Sequence, residues 1–182
     1  MGPRCMFKNT SPNRSVDILK CQTESGRESL RQNRIALKAI ERQTGFEFLG
    51  ISNDEPSRID GFVHDPSKGT IIGSYEIKTR YYGLLKLQTA FKNQWLISWS
   101  KIQAALEISR HSKLPLFGVL HLHEDNLVLM VEIFNSNASW AANHQIAEKI
   151  IDGRIERVAL IDMNNAAKYR IHSGENQMSL FR

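Results

Sequence analysis

Residues 58–80 read RIDGFVHDPSKGTIIGSYEIKTR, and the fold turns on how this stretch is read. Two apolar-rich runs, 58–64 and 70–80, flank Asp65-Pro66-Ser67-Lys68-Gly69, whose residue types favour a tight turn. The pair therefore reads as a β-hairpin. Along a strand, residues two apart share a face and lie ~6.6–7 Å apart. Glu76 and Lys78 then point one way and Ile77 the other, while the hairpin returns Asp60 alongside Glu76. Two facing carboxylates repel, and burying them without a partner is costly. A divalent cation removes that cost, and oxygen-only donors select a hard ion such as Mg²⁺ or Mn²⁺. The Lys78 ammonium beside it can stabilise negative charge that develops during phosphodiester hydrolysis. A Glu-x-Lys triplet on an exposed strand is normally a solvated face. Here Ile71, Ile72 and Tyr75 precede Glu76, and Ile59, Phe62 and Val63 bracket Asp60, so the acids sit in core-like strands.

The flanking chain supplies an α/β context. Ser25-Gly26-Arg27-Glu28 fits a capping box that opens a helix; Leu30, Leu37 and Ile40 recur at helical spacing, and Gly45 closes it. Residues 46–51 read as a short strand and 52–56 as a polar turn. A short helix is expected over 84–92 and a strand over 94–97. Ser98 or Ser100 is placed to cap a helix that runs to about Arg110. Strands follow at 115–122 and 126–134, then a helix at 138–151 and a last strand at 155–161. The expected architecture is a single mixed β-sheet flanked by helices, formed by residues 25–162. Residues 1–24 form a polar, basic arm and 163–182 a polar tail.

Composition narrows the class. The chain has 182 residues, 41% of them hydrophobic, which argues against wholesale disorder. No apolar run is long enough to span a bilayer, and residues 1–25 lack the apolar core of a secretory signal. Cys5 and Cys21 are too few for a disulfide framework or a zinc ribbon, so a reduced, cytoplasmic setting is expected. The net charge of +5 permits a polyanionic partner.

The order helix, strand, Ile59-Asp60-Gly61, turn, Tyr75-Glu76-Ile77-Lys78-Thr79-Arg80 resembles the PD-(D/E)XK nuclease superfamily, with its restriction-endonuclease-like αβββαβ core. The resemblance covers about residues 25–122 and leans toward small phage and archaeal nucleases and Holliday-junction resolvases. It implies a metal-dependent deoxyribonuclease acting on DNA, as an endonuclease of phage or mobile-element type and a homodimer. In its terms Asp60, Glu76 and the Ile77 carbonyl ligate Mg²⁺ or Mn²⁺, Lys78 handles the attacking water, and Lys101 points toward the scissile phosphate. No organic cofactor or membrane is called for. The competing reading is a non-catalytic nucleic-acid-binding or protein-interaction module on the same fold.

The family often places a Glu on the first helix, facing the metal. Glu28 has the chemistry, but helical phase turns it off the apolar stripe and the capping box already employs it. Asn33 lies on the stripe between Leu30 and Leu37, so Asn33 is the residue expected near the metal. Arg80, Lys86 and Lys92 are expected to track a DNA backbone, with Tyr81 and Tyr82 available to stack on bases. Trp95 and Trp99 are expected in the core. His121, His123, His144 and Asn137 faintly suggest a ββα-metal site, but the hairpin between them leaves no room for its loop.

Overall fold

The computed structural model describes residues 23–51 and 58–172. Most of the expected arm, the expected 52–56 turn and the last ten positions of the tail lie outside the described residues. Helix α1 spans Glu24–Thr44. It is capped at its start by Thr23, whose hydroxyl accepts from the Gly26 N–H at 3.0 Å, and at its end by Gly45 at φ 77°. The Ser25–Glu28 capping box therefore does not form. Ser25 already lies inside the first turn, and Glu28 is engaged elsewhere.

Strands β1 (Glu47–Gly50), β2 (Gly61–Asp65) and β3 (Thr70–Arg80) form an antiparallel meander. The chain then crosses over through α2 (Leu84–Thr89), β4 (Gln94–Ser98) and α3 (Trp99–Ser112) to β5 (Leu116–Leu122). That crossover lets β5 lie parallel to β3, a pairing a tight turn cannot make. A single turn of 3₁₀ helix, His123–Asp125, leads to β6 (Leu127–Phe134), and β7 (His144–Ile151), β8 (Arg154–Asp162) and β9 (Ala167–Arg170) follow. The main sheet has six strands in the order β1-β2-β3-β5-β6-β9. The fold is α/β with a mixed sheet flanked by helices, as expected.

Alternation along β3 and β5 divides the core in two. Tyr75, Ile77 and Val119 face α1, packed with Ile35, Ala36, Ala39 and Ile40. Leu116, Leu120 and Leu122 face the other way, onto α3 (Ile102, Ala105), α2 (Leu87) and a second sheet through Trp95, Ile97, Ala159 and Ile161. That second sheet has three strands in the order β4-β8-β7 and was not anticipated. Gly118 permits the close approach: a Cβ there would stand 2.6 Å from the Trp95 ring and 2.7 Å from Ile133.

Two readings are corrected. The helix expected over 138–151 is absent, and β7 occupies most of that stretch. Its apolar residues Ile146, Ala147, Ile150 and Ile151 satisfy either period. The deciding signal was Asp152-Gly153, both with positive φ (49° and 75°), the pair that a tight hairpin between two strands demands. The expected tail is likewise partly structured, because β9 adds to the edge of the main sheet beside β6.

Candidate active site

Asp60 is fixed by its neighbours on both sides. Ile59 is buried in the core cluster beneath α3. The Asp60 N–H donates to the Tyr75 carbonyl at 3.0 Å, and its carbonyl accepts from the Ile51 N–H at 3.1 Å. Gly61 follows because nothing larger fits: a Cβ would lie 2.2 Å from the Leu49 carbonyl oxygen and 2.7 Å from the Tyr75 ring. The β2–β3 ladder ends at Gly61 opposite Tyr75. Beyond it, Asp60 turns its carboxylate into the opening, where Oδ2 accepts from the Ile77 N–H at 2.7 Å. Because a strand residue presents its N–H and C=O to the same edge, the Ile77 carbonyl also faces that opening.

Glu76 and Lys78 project from the α3 side of the sheet. Lys101, in the first turn of α3, bridges the two acids: its ammonium is 3.0 Å from Glu76 Oε1, 3.2 Å from Oε2 and 3.9 Å from Asp60 Oδ1. Burial pushes the Glu76 carboxyl up to about 7 from an ordinary 4.5, and the Asp60 charge pushes the same way; Lys101 and then Lys78 oppose the rise. Lys78 itself is exposed at the mouth. The structure thus brings together Asp60, Glu76, Lys101, Lys78 and the Ile77 backbone, from the turn before β2, from β3 and from α3.

Asn33 is not among them. The Thr79 hydroxyl donates to Asn33 Oδ1 at 2.8 Å, and the ring of His121 lies 3.1 Å from the same hydroxyl through Nδ1. Thr79 is on the Ile77 side of β3, so Asn33 sits across the sheet from Glu76. The helical phase was sound: Asn33 faces inward. The error lay in taking inward to mean the Glu76 side, when α1 covers the opposite face. Glu28 is bound by Arg31 at 2.7 Å and Gln32 at 2.8 Å, and these hydrogen bonds hold its carboxyl down at about 2.

No known protein family, curated protein or solved structure matches this chain.

Among the described residues, no group of three or more His, Cys, Asp or Glu side chains converges as a metal cluster. This bears on the His121–His123 pair, whose ring centroids lie 5.8 Å apart without a further ligand. His144 is in the second sheet, stacked on Trp140 with centroids 3.6 Å apart. Since Thr79 donates to Asn33, the His121 Nδ1 must carry the proton that reaches Thr79 Oγ1, which leaves Nε2 as a buried, unpartnered acceptor. Burial accordingly pulls the His121 imidazolium down to about 4. Sequence reasoning set His121 aside with the ββα-metal pattern and missed this network. The Thr79–His121 pairing across parallel strands was its only signal.

Of the residues expected to contact DNA, Arg80 and Lys86 continue outward on the site face, Lys92 is exposed beyond α2, and Tyr81 packs against His123 on the α1 side, centroids 5.1 Å apart. Trp95 is buried as expected, and Trp99 is half-buried under the Arg157 guanidinium at 4.5 Å.

Proposed function

We propose that the chain is a Mg²⁺- or Mn²⁺-dependent deoxyribonuclease that hydrolyses phosphodiester bonds at the Asp60–Glu76–Lys78–Lys101 constellation. The observation that carries this reading is the convergence of two carboxylates on a single opening, with the Glu76 side chain only 14% exposed and already neighboured by an ammonium. Such a pair is costly unless cations share it. The donors fit a hard ion: Asp60, Glu76 and the Ile77 carbonyl offer only oxygen. When bound there, the ion would polarise a phosphoryl oxygen and neutralise charge on the reacting phosphate.

The chain's own residues do the rest. Asp60 is aimed by the Ile77 N–H and holds one side of the opening. Glu76 supplies the second carboxylate, which must be ionised to hold the ion. Lys78, exposed at the mouth, faces the developing negative charge. Lys101 keeps the two acids together and offers its ammonium to a non-bridging phosphate oxygen. Labelled linear, circular and branched DNA incubated with Mg²⁺, Mn²⁺ or EDTA tests the proposal. Metal-dependent cleavage is expected, and full activity in EDTA would refute it.

A second reading is favoured by one observation: no third acidic side chain joins the pair among the described residues. A non-catalytic nucleic-acid-binding module would bind DNA in the same experiment and cleave none of it with either ion.

A further inference from the structure

The site face of β3 continues past the carboxylates into a run without acids. From Ile77 to Leu106 the sequence has no Asp or Glu and carries Lys78, Arg80, Lys86, Lys92 and Lys101. Glu76, Lys78 and Arg80 share one face at two-residue steps, so cations follow the carboxylates at intervals of ~7 Å. That interval is of the order of the separation between successive phosphates on one extended nucleic-acid strand. Beyond Arg80 the face becomes aromatic. Arg80 is near enough to Tyr82 to oppose the rise that burial imposes on its hydroxyl, the Tyr82 and Phe91 rings lie 5.1 Å apart, and the Lys86 ammonium stands 5.7 Å over the Tyr82 ring. Tyr82 is anchored on the α3-side core, whereas Phe91 remains 41% exposed. Asp125, which lies against Gly83, is engaged: its Oδ2 accepts from the Leu84 N–H at the start of α2.

We propose that β3 carries a single DNA strand along its site face, with phosphates following Lys78 and Arg80, and that the Tyr82–Phe91 pair beside Lys86 receives an unpaired base. An exposed aromatic plane gains from a base only if the base has an open face, and inside a duplex both faces are covered by neighbours. The substrate class is therefore DNA with a single-stranded stretch next to the cut: a flap, an overhang or a free strand. This rests on the nuclease reading for the cut, while the platform can be tested without it.

The test is equilibrium binding in EDTA, using oligonucleotides that carry 2-aminopurine as a free strand, as a duplex with an overhang and as a blunt duplex. Base–aromatic stacking predicts that Phe91→Ala weakens binding of the free strand and the overhang by roughly tenfold, spares the blunt duplex and removes the 2-aminopurine quench. Phe91→Trp should restore both signals. Arg80→Gln should lower the slope of log affinity against log salt by about one phosphate contact. Wild-type preference for the blunt duplex, or equal weakening of all three ligands by Phe91→Ala, would overturn the platform. Repeating the set with Mg²⁺ separates the two proposals. Phe91-dependent strand binding without any cleavage would uphold the platform and remove the nuclease reading. Cleavage that is indifferent to Phe91 and to strandedness would do the reverse.

Discussion

Asp60 shows how much depends on a single side chain. It accepts from the Ile77 N–H, faces Glu76 and touches the Lys101 ammonium, so deleting it strands a backbone donor, at a cost of about 1–3 kcal/mol. Asp60→Asn preserves an acceptor and is the cleaner probe. Asp60→Asn and Glu76→Gln should each lower cleavage by about a hundredfold or more and weaken Mg²⁺ binding in calorimetric titration. Lys78→Ala should lose cleavage yet keep the metal, since its ammonium is at the mouth and not between the acids. Equal metal loss in all three variants would show that Lys78 is misassigned to the chemical step and is needed to assemble the metal site. Glu76 also predicts a pH dependence. Its pKa is raised on folding, from 4.5 to about 7, so the folded chain holds this proton more tightly than the unfolded one. The associated stability is fully present below the ordinary value and is lost as pH rises through about 7. Cation binding runs the opposite way, because the ionised carboxylate is the ligand. Melting temperature without metal should therefore fall between pH about 5 and about 8, relative to Glu76→Gln, while the gain on adding Mg²⁺ grows over the same range.

At the scale of elements, the hairpin was legible because two independent signals agreed: turn chemistry at 65–69 and apolar runs on either side. Strand β3 begins and ends where the sequence placed it. The site on that strand was legible for the same reason, since alternation fixes which residues share a face. Sequence periodicity does not say which face a neighbouring helix covers. Asn33 was therefore read as inward, correctly, and assigned to the wrong side of the sheet. Helix 138–151 failed differently: four apolar residues fitted both periods, and the Asp152-Gly153 turn was overlooked. Contact between the two sheets was invisible because it depends on Gly118, a missing side chain. Gly118→Ala should force Trp95 or Ile133 to move and lower stability by about 1–3 kcal/mol, read as a fall in melting temperature. No change would mean that the two sheets have slack.

For the whole molecule, the layering places α1 on one side of the main sheet and the second sheet with α2 and α3 on the other. The described helices include none long and apolar enough to cross a membrane. The chain's net charge is +5, and residues 77–106, which follow the site acids, contain five cations and no acid. DNA affinity should consequently fall steeply with salt and vary little with sequence, since phosphate contacts position a strand without reading it. A linear log–log plot of affinity against salt measures this directly. A shallow slope with a sharp preference for one short sequence would contradict it.

The bond from the Ile77 N–H to Asp60 has a practical consequence. Most strand amides in this sheet are tied to another backbone, but this one is tied to a side chain that the proposed ion must recruit. Its nitrogen–proton resonance is thus a native gauge of what Asp60 is doing. Titrating Mg²⁺ into isotopically labelled protein should move the Ile77 cross-peak among the earliest and furthest, with Val119 across the parallel ladder nearly still. Asp60→Asn should blunt the response. A stationary Ile77 peak at saturating Mg²⁺ would mean that the ion, if it binds, leaves this carboxylate untouched.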